Sequence, residues 1–151
     1  MPVSSAAINN FLAERKLAVV GVSRSGKKFG NVIYNELISK GYKLFPVNPN
    51  AETIGNDKCY PDLKSLPEQI GGVVIILPPD QTGRIVQDVK ALGVKQIWMQ
   101  QGSQSGTAIR YCEENGISVI AGKCILMYAE PVVSIHGIHR WIWKLIGRYS
   151  K

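Results

Sequence analysis

The chain is poor in cysteine, histidine and acid, and each shortage removes a class of function. Its three cysteines, Cys59, Cys112 and Cys124, are odd in number, far apart and without a C-x-x-C pair. That excludes a disulfide framework, argues against a zinc site and suits reduced thiols in a cytosol. No apolar run approaches the ~18 residues a membrane span needs. Residues 1–16 do not join a basic leading region to a long apolar stretch, so they do not read as a secretory leader. The expectation is a cytoplasmic protein. His136 and His139 can share a helix face, but without a third ligand nearby they read as packing or capping groups rather than a metal centre. With 18 Lys and Arg against 11 Asp and Glu, the net charge is +7, and Arg140, Lys144, Arg148 and Lys151 contribute four of the seven. A basic chain invites a nucleic-acid partner. No helix-turn-helix pattern, zinc ligands or aromatic RNP-like strand accompanies the charge, so nucleic acid is not expected.

What is present is organised around residues 17–31, LAVVGVSRSGKKFGN. The apolar run 17–22 reads as a buried parallel strand, 21–30 as a tight loop and 31–40 as a helix beginning at Asn31. A helix N-terminus presents unpaired N–H groups and the positive end of the dipole, and glycine lets backbone approach a ligand closely. Arg24, Lys27 and Lys28 add positive charge, so the loop suits a phosphate. It departs from the dinucleotide fingerprint G-x-G-x-x-G: Gly21 is followed by Val22 and then Ser23, where a second glycine should stand, and Gly26 and Gly30 are off the spacing. An NAD site also expects an acid at the end of the second strand, about 20 residues on. Here that strand, 43–47, ends in Asn48-Pro49.

Before the loop, Ser4 or Ser5 can cap a helix with Ile8, Phe11 and Leu12 on one stripe. In the helix after it, Val32, Ile33, Leu37 and Ile38 are expected to face inward, with Gly41 closing it. Residues 51–56 read as a loop, 58–60 as a brief strand stopped by Pro61, and 62–69 as a helical turn. GVVIIL over 72–77 reads as a fully buried strand stopped by Pro78-Pro79, followed by a helix over 81–92 with Ile85, Val86, Val89 and Leu92 inward and Gly93 as cap. A strand over 96–99, a helix to Asn115 and a strand over 117–120 complete the alternation. The length suits one domain, with its core over 17–124. The fold class is α/β: a three-layer, doubly wound parallel sheet, Rossmann-like, of six strands in the order 3-2-1-4-5-6. Loops 21–30, 47–50, 77–80 and 100–103 would then converge at the topological switch point. Residues 130–151 read as an extra C-terminal helix, with Ile135, Ile138, Ile142 and Leu145 on one face beside Trp141 and Trp143, and a basic stripe of Arg140, Lys144 and Arg148. Packing on the sheet or on a second subunit, a homodimer, is preferred over an anionic membrane surface.

Val19-Val20-Gly21-Val22-Ser23, Val47-Asn48-Pro49, Tyr60-Pro61 followed by Leu63, Leu77-Pro78-Pro79 and Trp98-Met99-Gln100-Gln101-Gly102 together resemble the small stand-alone CoA-binding domain proteins. These are similar to the N-terminal domain of the succinyl-CoA synthetase α subunit and of ADP-forming acyl-CoA synthetases. The resemblance runs from about residue 17 to 124. It implies coenzyme A or an acyl-CoA across the carboxyl ends of the strands. Gly21, Ser23, Arg24 and Lys27 would meet the phosphates, Asn48 and Pro49 would line the nucleotide, and Leu77, Pro78 and Pro79 would form an apolar wall to adenine. Val22 and Asn31 belong to the same loop and helix start. An acid at Asn48 would repel a phosphorylated ribose, so its absence favours CoA over NAD. The synthetases' phosphorylated histidine lies in a second domain not matched here, so binding without catalysis is expected. The alternative is an NAD(H)-binding regulator or oxidoreductase fragment. A third reading has Cys124 exchanging with the CoA thiol.

Overall fold

The computed structural model describes residues 4–129. In chain order these form α1 (Ser5–Ala13), β1 (Lys16–Val20), α2 (Phe29–Ser39), β2 (Lys43–Val47), β3 (Thr53–Ile54), β4 (Asp57–Lys58), a 3-10 turn (Leu63–Ser65), β5 (Gly72–Ile75), α3 (Pro79–Leu92), β6 (Gln96–Gln100), α4 (Gly106–Glu114), β7 (Ser118–Lys123) and a second 3-10 turn (Ile125–Met127). The predicted tail helix, with its histidines and tryptophans, lies outside the described residues.

The long strands are apolar without polar alternation because both of their faces are covered. Leu17 and Val19 of β1, Val74 of β5 and Trp98 of β6 point into one core with α1, α2 and the Ile125–Met127 turn. Ala18, Val20, Val73, Ile75, Ile97 and Met99 point into a second core with α3 and α4. The sheet is parallel, with order β2-β1-β5-β6-β7. This is the Rossmann-like doubly wound fold. From β1 the chain winds outward through α2 to β2, and from β5 it winds the other way through α3 to β6. The switch point therefore lies between β1 and β5, whose residues Val20 and Ile75 are partners.

Six strands were expected in this sheet and five form it. The third, expected over 58–60, is reduced to one parallel bridge between Val47 and Tyr60, on the outer side of β2 where the predicted order puts it. Lys58 is instead drawn into antiparallel pairing with Thr53, and Pro61 has no N–H with which to continue the ladder. Tyr34 of α2 ties this hairpin down, its hydroxyl donating to Asp57 at 2.6 Å. Burial, then the hydrogen bond to Asp57, pushes the phenol well above its usual range.

Ser4 caps α1, its Oγ accepting from Ala7 N at 3.0 Å, and Phe11 meets Trp98 edge-on at 5.5 Å. In α2 the inward row is Gly30, Ile33, Tyr34 and Leu37, a run at three- and four-residue steps. Val32 and Ile38, expected inside, fall off it and are 48% and 40% exposed. Leu92 of α3 is likewise exposed. Pro79, expected to stop the strand two residues before the helix, is itself the first residue of α3, where a missing N–H is harmless and the fixed φ fits.

Candidate functional site

β1 delivers Gly21 to the switch point with φ +116°, a conformation that side-chain-bearing residues rarely adopt. A Cβ there would lie 2.0 Å from the carbonyl oxygen of Ile76, and one on Gly30 would lie 2.6 Å from the carbonyl oxygen of Gly21. Glycine at both positions lets the start of α2 press against the end of β1. Between them the loop is shaped by side chains. Asn31, 3% exposed, clamps Ser23 by accepting from its N–H at 3.1 Å and donating Nδ2 to its carbonyl at 2.8 Å. Ser23 Oγ accepts from Ser25 N, and Ser25 Oγ accepts from Lys27 N, each at 3.2 Å. No side chain caps α2. Its first N–H groups are left facing the opening with the positive end of the helix dipole.

On the β2 side, Asn48 spans two loops: Nδ2 donates to Val22 O at 3.0 Å and Oδ1 accepts from Asn50 N at 2.8 Å. Beneath it lies Cys59, whose thiol is pushed up by burial and packs against Asn48 O. On the β5 side, Leu77 N–H donates to Ser103 Oγ at 3.0 Å, and Thr82 Oγ1 donates to Ser103 O at 2.8 Å, so the loop after β6 braces the Leu77-Pro78 corner from behind. These walls enclose a cleft of about 1260 Å³.

Gly21, Val22, Ser23, Asn48, Pro49, Leu77 and Pro78 line that cleft together. Four other predicted residues stand apart. Arg24 reaches to Asn50 and borders a side depression; Lys27 is exposed and lines neither hollow; Asn31 is buried behind the loop as its clamp; Pro79 begins α3 outside the lining. Cys124 is buried in the core rather than in the cleft wall. Lys28, expected to add charge to the loop, lines the cleft itself; Phe29 and Gly30 beside it were not expected as lining residues, nor was the wall formed by α3. Asp80, Arg84 and Asp88 all line the cleft, and their four-residue spacing puts them on one helix face, a signal that was readable. With Lys28 and Asp62, two cations and three carboxylates line the main cleft. Asp62 is engaged in capping the Leu63–Ser65 turn.

Among the described residues no group of three metal-ligating side chains occurs, and no helix is long and apolar enough to cross a membrane. A family model, the CoA binding domain, matches residues 15–130. The chain is 33% identical over 84 residues to acetate–CoA ligase [ADP-forming] II of Archaeoglobus fulgidus; the match takes in 54% of this chain and 12% of the ligase. It is 27% identical over 123 residues to the uncharacterized protein YneT of Bacillus subtilis, covering 81% of this chain and 91% of that one. A solved structure of a conserved hypothetical protein from Pyrococcus furiosus superposes with a TM-score of 0.70 at 36% identity, over 74% of this chain and 96% of that one. The matched residues take in both core faces and every wall of the cleft, and the chain belongs to the CoA binding domain family.

Proposed function

We propose that the protein binds coenzyme A or an acyl-CoA in the switch-point cleft, as a binding module rather than a catalyst. The observation that carries this is the uncapped N-terminus of α2 opening onto a 1260 Å³ cleft beside Asn48, where an NAD site would have an acid. The diphosphate meets the α2 N–H groups and Lys28. Adenosine lies between Asn48-Pro49 and the Leu77-Pro78 corner, and the pantetheine arm continues along the strand ends. The Asn48 amide, the apolar Leu77-Pro78 corner and Lys28 at the α2 N-terminus suit a phosphate ester, while the carboxylates Asp80 and Asp88 stand with Arg84 on the α3 wall. The related ligase uses CoA by its name; because this chain spans 12% of its length, the reading carries over CoA binding alone.

Isothermal titration with CoA, acetyl-CoA and NADH tests the proposal. Heat from the first two and none from NADH is expected. Silence with both CoA compounds at millimolar concentration, or a preference for NADH, overturns it.

A further inference from the structure

The basic residues of the loop after β1 do not share one location. Lys28 lines the main cleft at the start of α2. Arg24 turns the other way: its Nη1 donates to the carbonyl oxygen of Asn50 at 3.3 Å, and it walls a side depression with Ser25, Asn50, Ala51, Glu52 and Thr53. Asn50 lines both hollows, so they adjoin at the carboxyl end of β2. In sites of this topology that strand end faces the adenosine ribose, an acid serving free hydroxyls and an arginine serving a phosphorylated ribose. Asn48 carries no charge, and both ends of its amide are engaged, to Val22 O and from Asn50 N. Among the described residues lining the side depression, Arg24 is the one cation.

We propose that Arg24 binds the phosphomonoester on the adenosine ribose of CoA, its 3′-phosphate, while the diphosphate takes Lys28 and the α2 N-terminus. This rests on the CoA reading of the cleft. Binding exchanges a neutral carbonyl acceptor, at the long end of the hydrogen-bond range, for a charged one that an arginine can grip with two donors. Glu52 borders the same depression and opposes a phosphate there; among the described residues no ion pair joins it to Arg24. The two side chains therefore set the preference for the 3′-phosphate in opposite directions.

The test is titration of CoA and dephospho-CoA into the natural protein, R24Q and E52Q. Both residues are exposed, so both variants keep the fold. The natural protein prefers CoA by about tenfold to a hundredfold. In R24Q the two affinities converge, and in E52Q the preference widens by about threefold. Equal affinities in the natural protein overturn the inference, as does an R24Q that weakens both ligands in proportion, which puts Arg24 on the diphosphate, or an E52Q that leaves or narrows the preference. A natural protein that binds neither ligand overturns the CoA reading itself, a result distinguishable from the other three.

Discussion

The two ends of the parallel sheet treat charge in opposite ways. At the amino end charges are paired. Glu68 bridges Lys16 and Lys43, the first residues of β1 and β2; Lys40 faces Glu36 at 3.9 Å; Arg15 lies 3.8 Å over the Tyr42 ring and donates to Lys40 O. All three ion pairs among the described residues are at this end. At the carboxyl end Lys28, Asp80, Arg84 and Asp88 line the cleft with no ion pair among the described residues, and α2 starts without a side-chain cap. One end uses its charges to hold strands in place. The other leaves them on the cleft wall without ion-pair partners among the described residues.

The largest effect should come from closing the carboxyl end with one methyl group. In Gly21→Ala the new Cβ meets the Ile76 carbonyl at 2.0 Å, and φ +116° resists any side chain. The neighbour is backbone and cannot swing aside. A loss of about 3 kcal/mol or more is expected, read as a fall in the urea midpoint, together with loss of CoA heat. A variant of full stability would show that the close approach of β1 to β5 does not shape the cleft.

Next is the clamp. Asn31→Ala removes both hydrogen bonds to Ser23 and should lower stability by about 2 kcal/mol. Faster hydrogen exchange at Ser23 and weaker CoA binding should accompany it. Asn31→Asp, which still accepts from Ser23 N but cannot donate to its carbonyl, should fall between. If exchange at Ser23 is unchanged in both, the loop is held by something other than this side chain.

A smaller and more selective change is Asn48→Asp. The carboxylate keeps its bond from Asn50 N, loses its donation to Val22 O, and places negative charge where the ribose is expected. CoA affinity should drop about tenfold while NADH gains relative to it, measured by paired titrations. Equal weakening of both ligands would place the ribose elsewhere.

These residues also show what the sequence made legible. The strand order and switch point followed from apolar runs alternating with helices, because burial on both faces writes itself into consecutive residues such as GVVIIL. Gly21, Asn48 and Pro49 were readable because special backbone and strand ends demand particular residue types. Arg24, Lys27 and Lys28 were not separable: the direction in which a loop side chain leaves depends on tertiary hydrogen bonds, here Arg24 to Asn50, which no local pattern encodes. The two-residue strands β3 and β4 are too short for a period to appear. In α2, Ile33 and Leu37 are inward as expected, but Val32 and Ile38 were added to that row because they are apolar, whereas position 34 holds a tyrosine whose ring is buried and whose hydroxyl bonds the distant Asp57.

The smallest effect belongs to the amino end. The ammonium groups of Lys43 and then Lys16 hold the Glu68 carboxyl below its ordinary value of 4.5. A carboxylate whose folded pKa is depressed contributes stability that is fully present above its unfolded pKa and fades as pH falls through the folded one. The natural protein and Glu68→Gln should therefore differ slightly at neutral pH and converge on acidification below about 4.5. The group sits at the surface, where such pairs contribute little and salt screens them, so the difference should also shrink in 1 M salt. A difference that survives both acid and salt would mean that Glu68 holds β1 and β2 by packing rather than charge, and the contrast between a paired end and an unpaired end would no longer explain where the ligand binds.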